Sequence, residues 1–340
     1  MKKRKNVTIK DIANELGYSV NTVSCALNGR NGIKKETAAK IKKKADELDY
    51  IPNSAAVSMR TGRTNTIAVI IGDVANAYFS IMVKEIERNL RGFGYVTIIL
   101  VTDEDEDNEH KSIMTAIAKK VDAVILFPAC TSVKGCEVLK KAGVPFVLVG
   151  RHFNCNQMDY VISDDIQGGY LATLYLLNKG HKRILIFTGS QRISCARERY
   201  EGYVKAHKEM NVEIDPKLVV KCGISMEPHT VSIIDDALVS SVPFSAVFTF
   251  NDLLAYHVCT RMNESYMGAV EVVGYDNLQS HVKFGFNICS VDIQKALMAK
   301  RAVEIVIERI NSKEETTTFY NEVQSVRLVN AKLEPQVKAE

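Results

Sequence analysis

The stretch Ser19-Val-Asn-Thr-Val-Ser24 carries side chains able to read a nucleic acid. A carboxamide such as that of Asn21 can bond an adenine edge at N6 and N7, and an aliphatic group such as that of Val20 can meet a thymine methyl. The hydroxyls of Thr22 and Ser24 suit phosphates, and Lys10 and Arg30 can add phosphate contacts from the flanks. This chemistry needs a helix held rigidly enough to enter a major groove.

The surrounding residues supply that support. Thr8 can cap a helix, with Asp11 three residues on in a capping-box arrangement. Ile9, Ile12, Ala13 and Leu16 then recur at helical spacing, and Gly17 ends the run. Ser19 can cap a second helix, with Val23 and Leu27 inward, before Asn28-Gly29. After a loop with Ile33, a third helix over about 35–48 offers Ala38, Ile41, Ala45 and Leu48 inward, and Lys40, Lys42, Lys43 and Lys44 outward. Two short helices joined by a tight glycine turn and braced by a third make a helix-turn-helix. The two caps, Thr8 and Ser19, are counted with the DNA-contacting residues. A three-helix bundle that binds protein is the plain alternative, and charge argues against it. Residues 1–63 hold 14 Lys and Arg against 6 Asp and Glu, a balance of +8. The rest of the chain holds 30 against 34, so the modest net charge of +4 conceals a basic head on an acidic body.

The run Val7-Thr-Ile-Lys-Asp-Ile-Ala-Asn-Glu-Leu-Gly-Tyr-Ser-Val-Asn-Thr-Val-Ser-Cys-Ala-Leu-Asn-Gly29 closely resembles the amino-terminal signature of the LacI/GalR family of bacterial transcription regulators. The likeness continues through Ala45-Asp-Glu-Leu-Asp-Tyr-Ile-Pro-Asn53. It implies an operator-binding head over 1–52 and a hinge over 53–63. Within the hinge, Asn53, Ala56 and Met59 are assigned to DNA, with Met59 in the place of the apolar wedge that opens a minor-groove step. Cys25 departs from the pattern, standing where relatives often carry Arg or His. A thiol is a weak hydrogen-bonding group, so that operator position is read differently or not at all.

From Thr66 onward, short β-branched runs alternate with amphipathic helices. Strands are expected over 67–71, 96–101, 123–127, 146–149, 184–187, 246–250 and 270–274. Helices are expected over 81–90, 111–120, 171–177 and 199–210. Such alternation implies doubly wound parallel sheets, and the two similar sets imply two lobes with a shared crevice. The resemblance makes residues 64–340 a two-lobed body of the periplasmic-binding-protein type. Its first lobe takes 64–163 and 291–322, and its second 164–290 and 323–340.

The same resemblance nominates the lining of the crevice. Ile71-Gly-Asp-Val-Ala-Asn-Ala-Tyr-Phe79 is similar to the family's first cleft loop, which brings in Asp73, Asn76, Tyr78 and Phe79. Ser163-Asp164-Asp165 before Gly168-Gly169 brings in Asp164, and Ala196-Arg-Glu-Arg-Tyr-Glu-Gly202 brings in Arg199. Two further loops supply Asn251 and Asp276. Asp and Asn suit hydroxyls, and an aromatic face suits a sugar ring or a base. Taken singly, an Asp or Asn after a strand reads as a helix cap. Ala77, Asp165 and Ile293 stand where Pro, Asn and Gln are usual, which leaves the ligand's identity open.

No GxSxG, no HExxH and no GxGxxG after a strand is present, so an enzyme is not expected. His181 after Lys179-Gly180 reads as helix-end capping rather than catalysis. At 340 residues, two or three domains are expected, and 46% apolar with 25% charged residues is a globular composition. The longest strongly apolar run, 121–133, contains Asp122 and Pro128 and cannot span a bilayer. The basic amino terminus is followed by no apolar segment, which predicts a cytoplasmic protein. The eight cysteines lie singly, so neither a disulfide framework nor a metal site is expected.

The whole reading is a homodimeric repressor on pseudo-palindromic operator DNA. A small polar effector, a sugar first, would control it without a cofactor. A nucleobase corepressor or a phosphocarrier-protein partner is the alternative that keeps the DNA role. A sugar-binding module without DNA work is the alternative that drops it.

Overall fold

The computed structural model describes residues 7–29, 32–51, 58, 62–129, 131–154, 157–264, 270–312 and 318–330. The chain divides into two compact units, Met1–Thr64 and Asn65–Glu340.

Among the described residues, the first unit holds the helices α1 (Ile9–Leu16), α2 (Val20–Leu27) and α3 (Lys35–Glu47) and no strand. The Asp11 carboxylate accepts from both the Thr8 amide and its hydroxyl, each at 2.7 Å. Gly17 then takes φ 70, a left-handed turn that glycine adopts without steric cost. Ser19 caps α2 by accepting from the Thr22 amide. Ile12, Ala13, Val23, Ala26, Ile41 and Ala45 form a private core. One lysine of the expected basic face behaves otherwise. Lys44 is half-buried and pairs with Glu15 and Glu47, because its long stem can brace α1 against α3. The expected hinge residues Asn53, Ala56 and Met59, and Arg30 in the head, lie outside the described residues.

The second unit contains two six-stranded sheets. The first has strands β1 (Thr66–Ile71), β2 (Val96–Val101), β3 (Ala123–Leu126), β4 (Phe146–Val149), β5 (Tyr160–Ser163) and β11 (Asn321–Gln324), in the order β11-β5-β4-β3-β1-β2. The second has β6 (Ile184–Thr188), β7 (Val219–Lys221), β8 (Ala246–Thr249), β9 (Glu271–Tyr275), β10 (Cys289–Asp292) and β12 (Arg327–Val329), in the order β12-β10-β9-β8-β6-β7. All pairs are parallel except β10 with β12. Central strands such as β1 and β3 read as unbroken apolar runs because helices cover both of their faces.

The covering helices are α4 (Ala77–Gly92), α5 (Glu106–Ala118), α6 (Lys134–Lys141), α7 (Asp165–Asn178), α8 (Ser194–Glu209), α9 (Pro228–Leu238), α10 (Asp252–Glu264) and α11 (Lys295–Asn311). Sequence periodicity catches only the carboxyl-terminal parts of α4, α5, α7 and α8; the first three begin at the polar caps Asn76, Asp105 and Asp164, whereas α8 begins after Ile193 with no side-chain cap. Five short strands, β5, β7, β10, β11 and β12, are absent from the expectation. Pairing also places Val291 and Asp292 in the second sheet and Val323 and Gln324 in the first. The second and third crossings between lobes therefore fall about two residues later than the 291 and 323 boundaries, set by ladder hydrogen bonds rather than by composition. Among the described residues, no helix is long and apolar enough to cross a membrane.

Two glycines decide how α7 meets α8. A Cβ on Gly202 would stand 2.1 Å from the Ile166 carbonyl oxygen, and one on Gly169 equally close to that of Arg199. Backbone approach at this distance sets Arg199 of α8 against Asp165 of α7 and builds the site between the lobes.

Candidate functional site

Asp165 opens α7, and its carboxylate accepts from Arg199 Nε at 2.9 Å. The same guanidinium donates through Nη1 to the Phe250 carbonyl at 2.6 Å, and its Nη2 lies 3.7 Å from Asp276. It lies between two rings, 3.6 Å from the Tyr275 centroid and 4.5 Å from that of Phe250. Burial pushes the Asp165 and Asp276 carboxyls up, and Arg199 beside them works in the opposite direction.

The loop bearing Asp276 is strained. Asp276 and Asn277 take φ 92 and φ 49, conformations that L-residues hold only when their surroundings demand it. Lys295, buried at the start of α11, donates its ammonium to the Asp276 and Asn277 carbonyls. Asp252 accepts from the Leu278 amide at 2.7 Å and from the Ser290 hydroxyl at 2.6 Å. Its burial pushes its carboxyl up to about 7. Gly274 leaves room for this carboxylate, whose oxygen lies 2.1 Å from where a Cβ would stand.

The opposite wall comes from the first lobe. Asn76 caps α4 by accepting from the Tyr78 amide. Tyr78, Phe79 and Phe127 pack edge to face at centroid distances of 5.1–6.2 Å. Burial holds the Tyr78 hydroxyl protonated, well above its ordinary value. Arg151, directly after Gly150 at the end of β4, donates to Glu104 and to the Pro128 carbonyl. Asp103 and Glu104 both have positive φ, and Gly72 lacks the Cβ that would strike the Glu104 carboxylate.

Residues of the two walls line a cavity of ≈ 40 Å³ between the lobes. One water needs roughly 10–15 Å³ on this measure, so a ring-sized ligand requires the lobes to part. The lining unites Asn76, Tyr78, Phe79, Arg199, Asn251 and Asp276, all nominated from sequence. It also includes Phe127, Arg151, Cys195, Ile224 and Phe250, which were not. Arg151 and Phe127 follow strand ends, where open α/β sheets present their ligands, and that signal was available. Cys195 and Ile224 carry none. Asp73 and Asp164 stand outside the lining: Asp73 closes a turn by accepting from the Ala75 amide, and Asp164 caps α7 by accepting from the Gln167 amide. Asn251 lines the cavity, yet both ends of its amide are engaged, with the Ile224 carbonyl and the Leu254 amide.

In the head, Val20 and Asn21 lie exposed at the start of α2, with Thr8 and Lys10 exposed at the start of α1. The Thr22 hydroxyl bonds that of Ser19 at 2.8 Å, and the Ser24 hydroxyl faces the Asn28 amide at 3.4 Å. The Cys25 thiol points along α2 to the Asn21 side-chain oxygen Oδ1 at 3.9 Å.

A helix-turn-helix head joined to a two-lobed α/β body with a polar cleft defines a ligand-binding DNA regulator. The description "Bacterial regulatory proteins, lacI family" matches residues 8–53, and "Periplasmic binding proteins and sugar binding domain of LacI family" matches 64–327. The chain belongs to the LacI family of DNA-binding transcription regulators. It is 29% identical to the transcriptional repressor PurR of Vibrio atlanticus, covering 90% of this chain and 93% of that one. It is also 29% identical to the regulator DegA of Bacillus subtilis, over 79% and 81%. A CelR–cellobiose complex superposes with a TM-score of 0.69 at 25% identity, covering 95% and 98%. The Lac repressor dimer on operator superposes with 0.80 at 20% identity, covering 96% and 99%.

Proposed function

We propose that this chain is a homodimeric repressor acting in the cytoplasm on a pseudo-palindromic operator, controlled by a small polar effector, a sugar first. The observation that carries the reading is the cleft. Arg199 and Asp276 face an aromatic wall of Tyr78, Phe79 and Phe127, with Asn76 on that same wall, inside one cavity. Hydrogen-bonding groups opposite ring faces suit a polyhydroxylated ring. Operator DNA favours one arrangement of the lobes, and an effector acts only through its differential affinity for the two. Two surfaces support self-association. Val96 and Ile99 are exposed on the edge strand β2, and Val282 and Phe286 on a loop of the second lobe. Apolar groups on a sheet edge call for cover, and a twofold dimer matches a palindromic site.

A thermal-shift screen of sugars, phosphosugars and nucleobases on the full chain tests the effector. A true effector at 100 times its Kd adds about 2.7 kcal/mol of stability. Stabilisation by nucleobases alone would replace the sugar, and stabilisation by no compound would remove small-molecule control.

The base-reading role of Asn21 has its own test. Asn21→Ala is expected to cost about 1–3 kcal/mol on the cognate operator and to relax discrimination at one base pair. Competition binding against single-base operator variants measures both. Equal weakening on every sequence would reassign Asn21 to a phosphate.

A further inference from the structure

The two lobes also touch outside the cavity. His152, in the loop after β4, directs its Nε2 to Glu198 of α8 at 2.6 Å. Its backbone amide donates to the Ser194 hydroxyl, in the first turn of the same helix, at 3.0 Å. Arg192, just before α8, reaches the Thr131 hydroxyl after β3 at 3.3 Å. Both side chains of the His–Glu pair are shielded, with relative exposures of 17% and 12%. The pair sits at the cleft: Arg151 precedes His152 directly, and Cys195 and Arg199 flank Glu198 on α8, all three lining the cavity. A carboxylate and an imidazole at this distance attract strongly only when the ring is protonated.

We infer that the His152–Glu198 pair is a proton-dependent latch that fastens the first lobe to the second across the cleft. Among the described residues, the groups around the ring are few. Glu198 faces it from α8, and Arg197 beside Glu198 opposes its charge from 3.5 Å off that carboxylate. Arg197 is itself drawn toward Glu201 at 3.8 Å. The Tyr160 ring of β5 packs against the imidazole at 5.2 Å, and the Phe153 carbonyl lies 3.3 Å from Nδ1. Glu198 outweighs burial and Arg197, so the latched imidazole holds its proton above the ordinary histidine value of 6.5.

The direction of the effect follows. Closing the latch raises the pKa of a histidine, so closure takes up a proton. The closed state gains its full advantage below about 6.5 and loses it as pH rises through the raised value. For every unit by which closure lifts that pKa, the closed-to-open ratio falls about tenfold between the two limits. The consequence for effector affinity rests on the ligand-control reading above, since the lobes must part to admit a ring. The latch itself does not.

Double electron–electron resonance gives a direct test. Ketone-bearing residues at the exposed positions Lys119 and Lys208, one on each lobe, carry spin labels on the full chain, diluted into unlabelled chain. The closed fraction is expected to fall between about pH 6 and about pH 9. His152→Gln should lower it near about pH 6 to the level that the wild type reaches near about pH 9, and so flatten the profile. His152→Lys keeps a cation throughout that range and should flatten it at the high level. Wild-type distances that ignore pH, or a slope that survives both substitutions, would overturn the latch. Neither operator nor effector enters the measurement, so failure here leaves the repressor reading untouched.

Discussion

Deleting residues 1–62 is expected to abolish operator binding and to leave a folded body. The head keeps a core of its own in Ile12, Ala13, Val23, Ala26, Ile41 and Ala45, and none of these belongs to the body's clusters. Among the described residues, the clusters that hold the two sheets draw on no residue of the head. The charge goes with it. The segment before Thr64 carries the +8, and the remaining −4 has no reason to attract a polyanion. In the intact protein the same charge makes binding steeply salt-dependent. With about 6–10 phosphates contacted by a dimer, affinity should drop roughly 10³–10⁵-fold between 50 and 200 mM salt. Gel-shift or anisotropy titrations of the full and truncated chains measure both effects, and circular dichroism checks the fold. Residual sequence-specific binding by the truncated chain would refute the modular reading. A shallow salt slope would place fewer lysines and arginines on phosphates than Lys10 and the outer face of α3 suggest.

The legibility of this molecule divides along physical lines. The helix-turn-helix could be read nearly to the residue, because capping, glycine turns and helical periodicity are local. Thr8 with Asp11, Gly17 and Ser19 do in the structure what their chemistry suggests. The buried strands could be read because parallel strands covered on both faces are continuous apolar runs. Asn321-Glu-Val-Gln324 forms an edge strand with half its side chains exposed, and its pairing with Tyr160–Ser163 spans 161 positions of chain. Propensity cannot anticipate such a partner.

The cleft shows the same division. Arg199, Asn251 and Asp276 follow recognisable loop patterns, whereas the Arg151–Glu104 pair joins residues 47 positions apart. That pair also depends on two positive-φ residues and a missing Cβ at Gly72. Asp164 and Asp165 differ by one step in the chain. The helix start puts the first on α7's own amides and turns the second inward, onto Arg199. Only the exact register of α7 tells them apart.

Arg199→Ala is expected to destabilise the body by about 3–5 kcal/mol near neutral pH, the cost of leaving a buried partner charge uncompensated. The guanidinium is the one group among the described contacts of Asp165 and Asp276 that meets both carboxylates. Those carboxyls are already pushed up by burial, and without Arg199 they rise further. A carboxyl whose folded pKa exceeds its unfolded value of 3.8 costs stability as pH rises from that value through the folded one. The deficit should therefore be smaller near about pH 5 than near about pH 8, because protonated Asp165 needs no counter-charge. Urea midpoints at the two pH values measure it. Adding Asp165→Asn should restore a large part of the loss, since it removes the orphaned charge, and the double-mutant cycle reads the coupling. An equal deficit at both pH values, with no recovery in the double variant, would assign the cost to lost stacking on Tyr275 and Phe250. The same logic governs any functional use of Arg199. A blunted effector response in Arg199→Ala mixes lost ligand contact with a weakened junction between α7 and α8. Only the Arg199→Ala/Asp165→Asn pair, stable yet lacking the guanidinium, isolates what Arg199 does for the ligand.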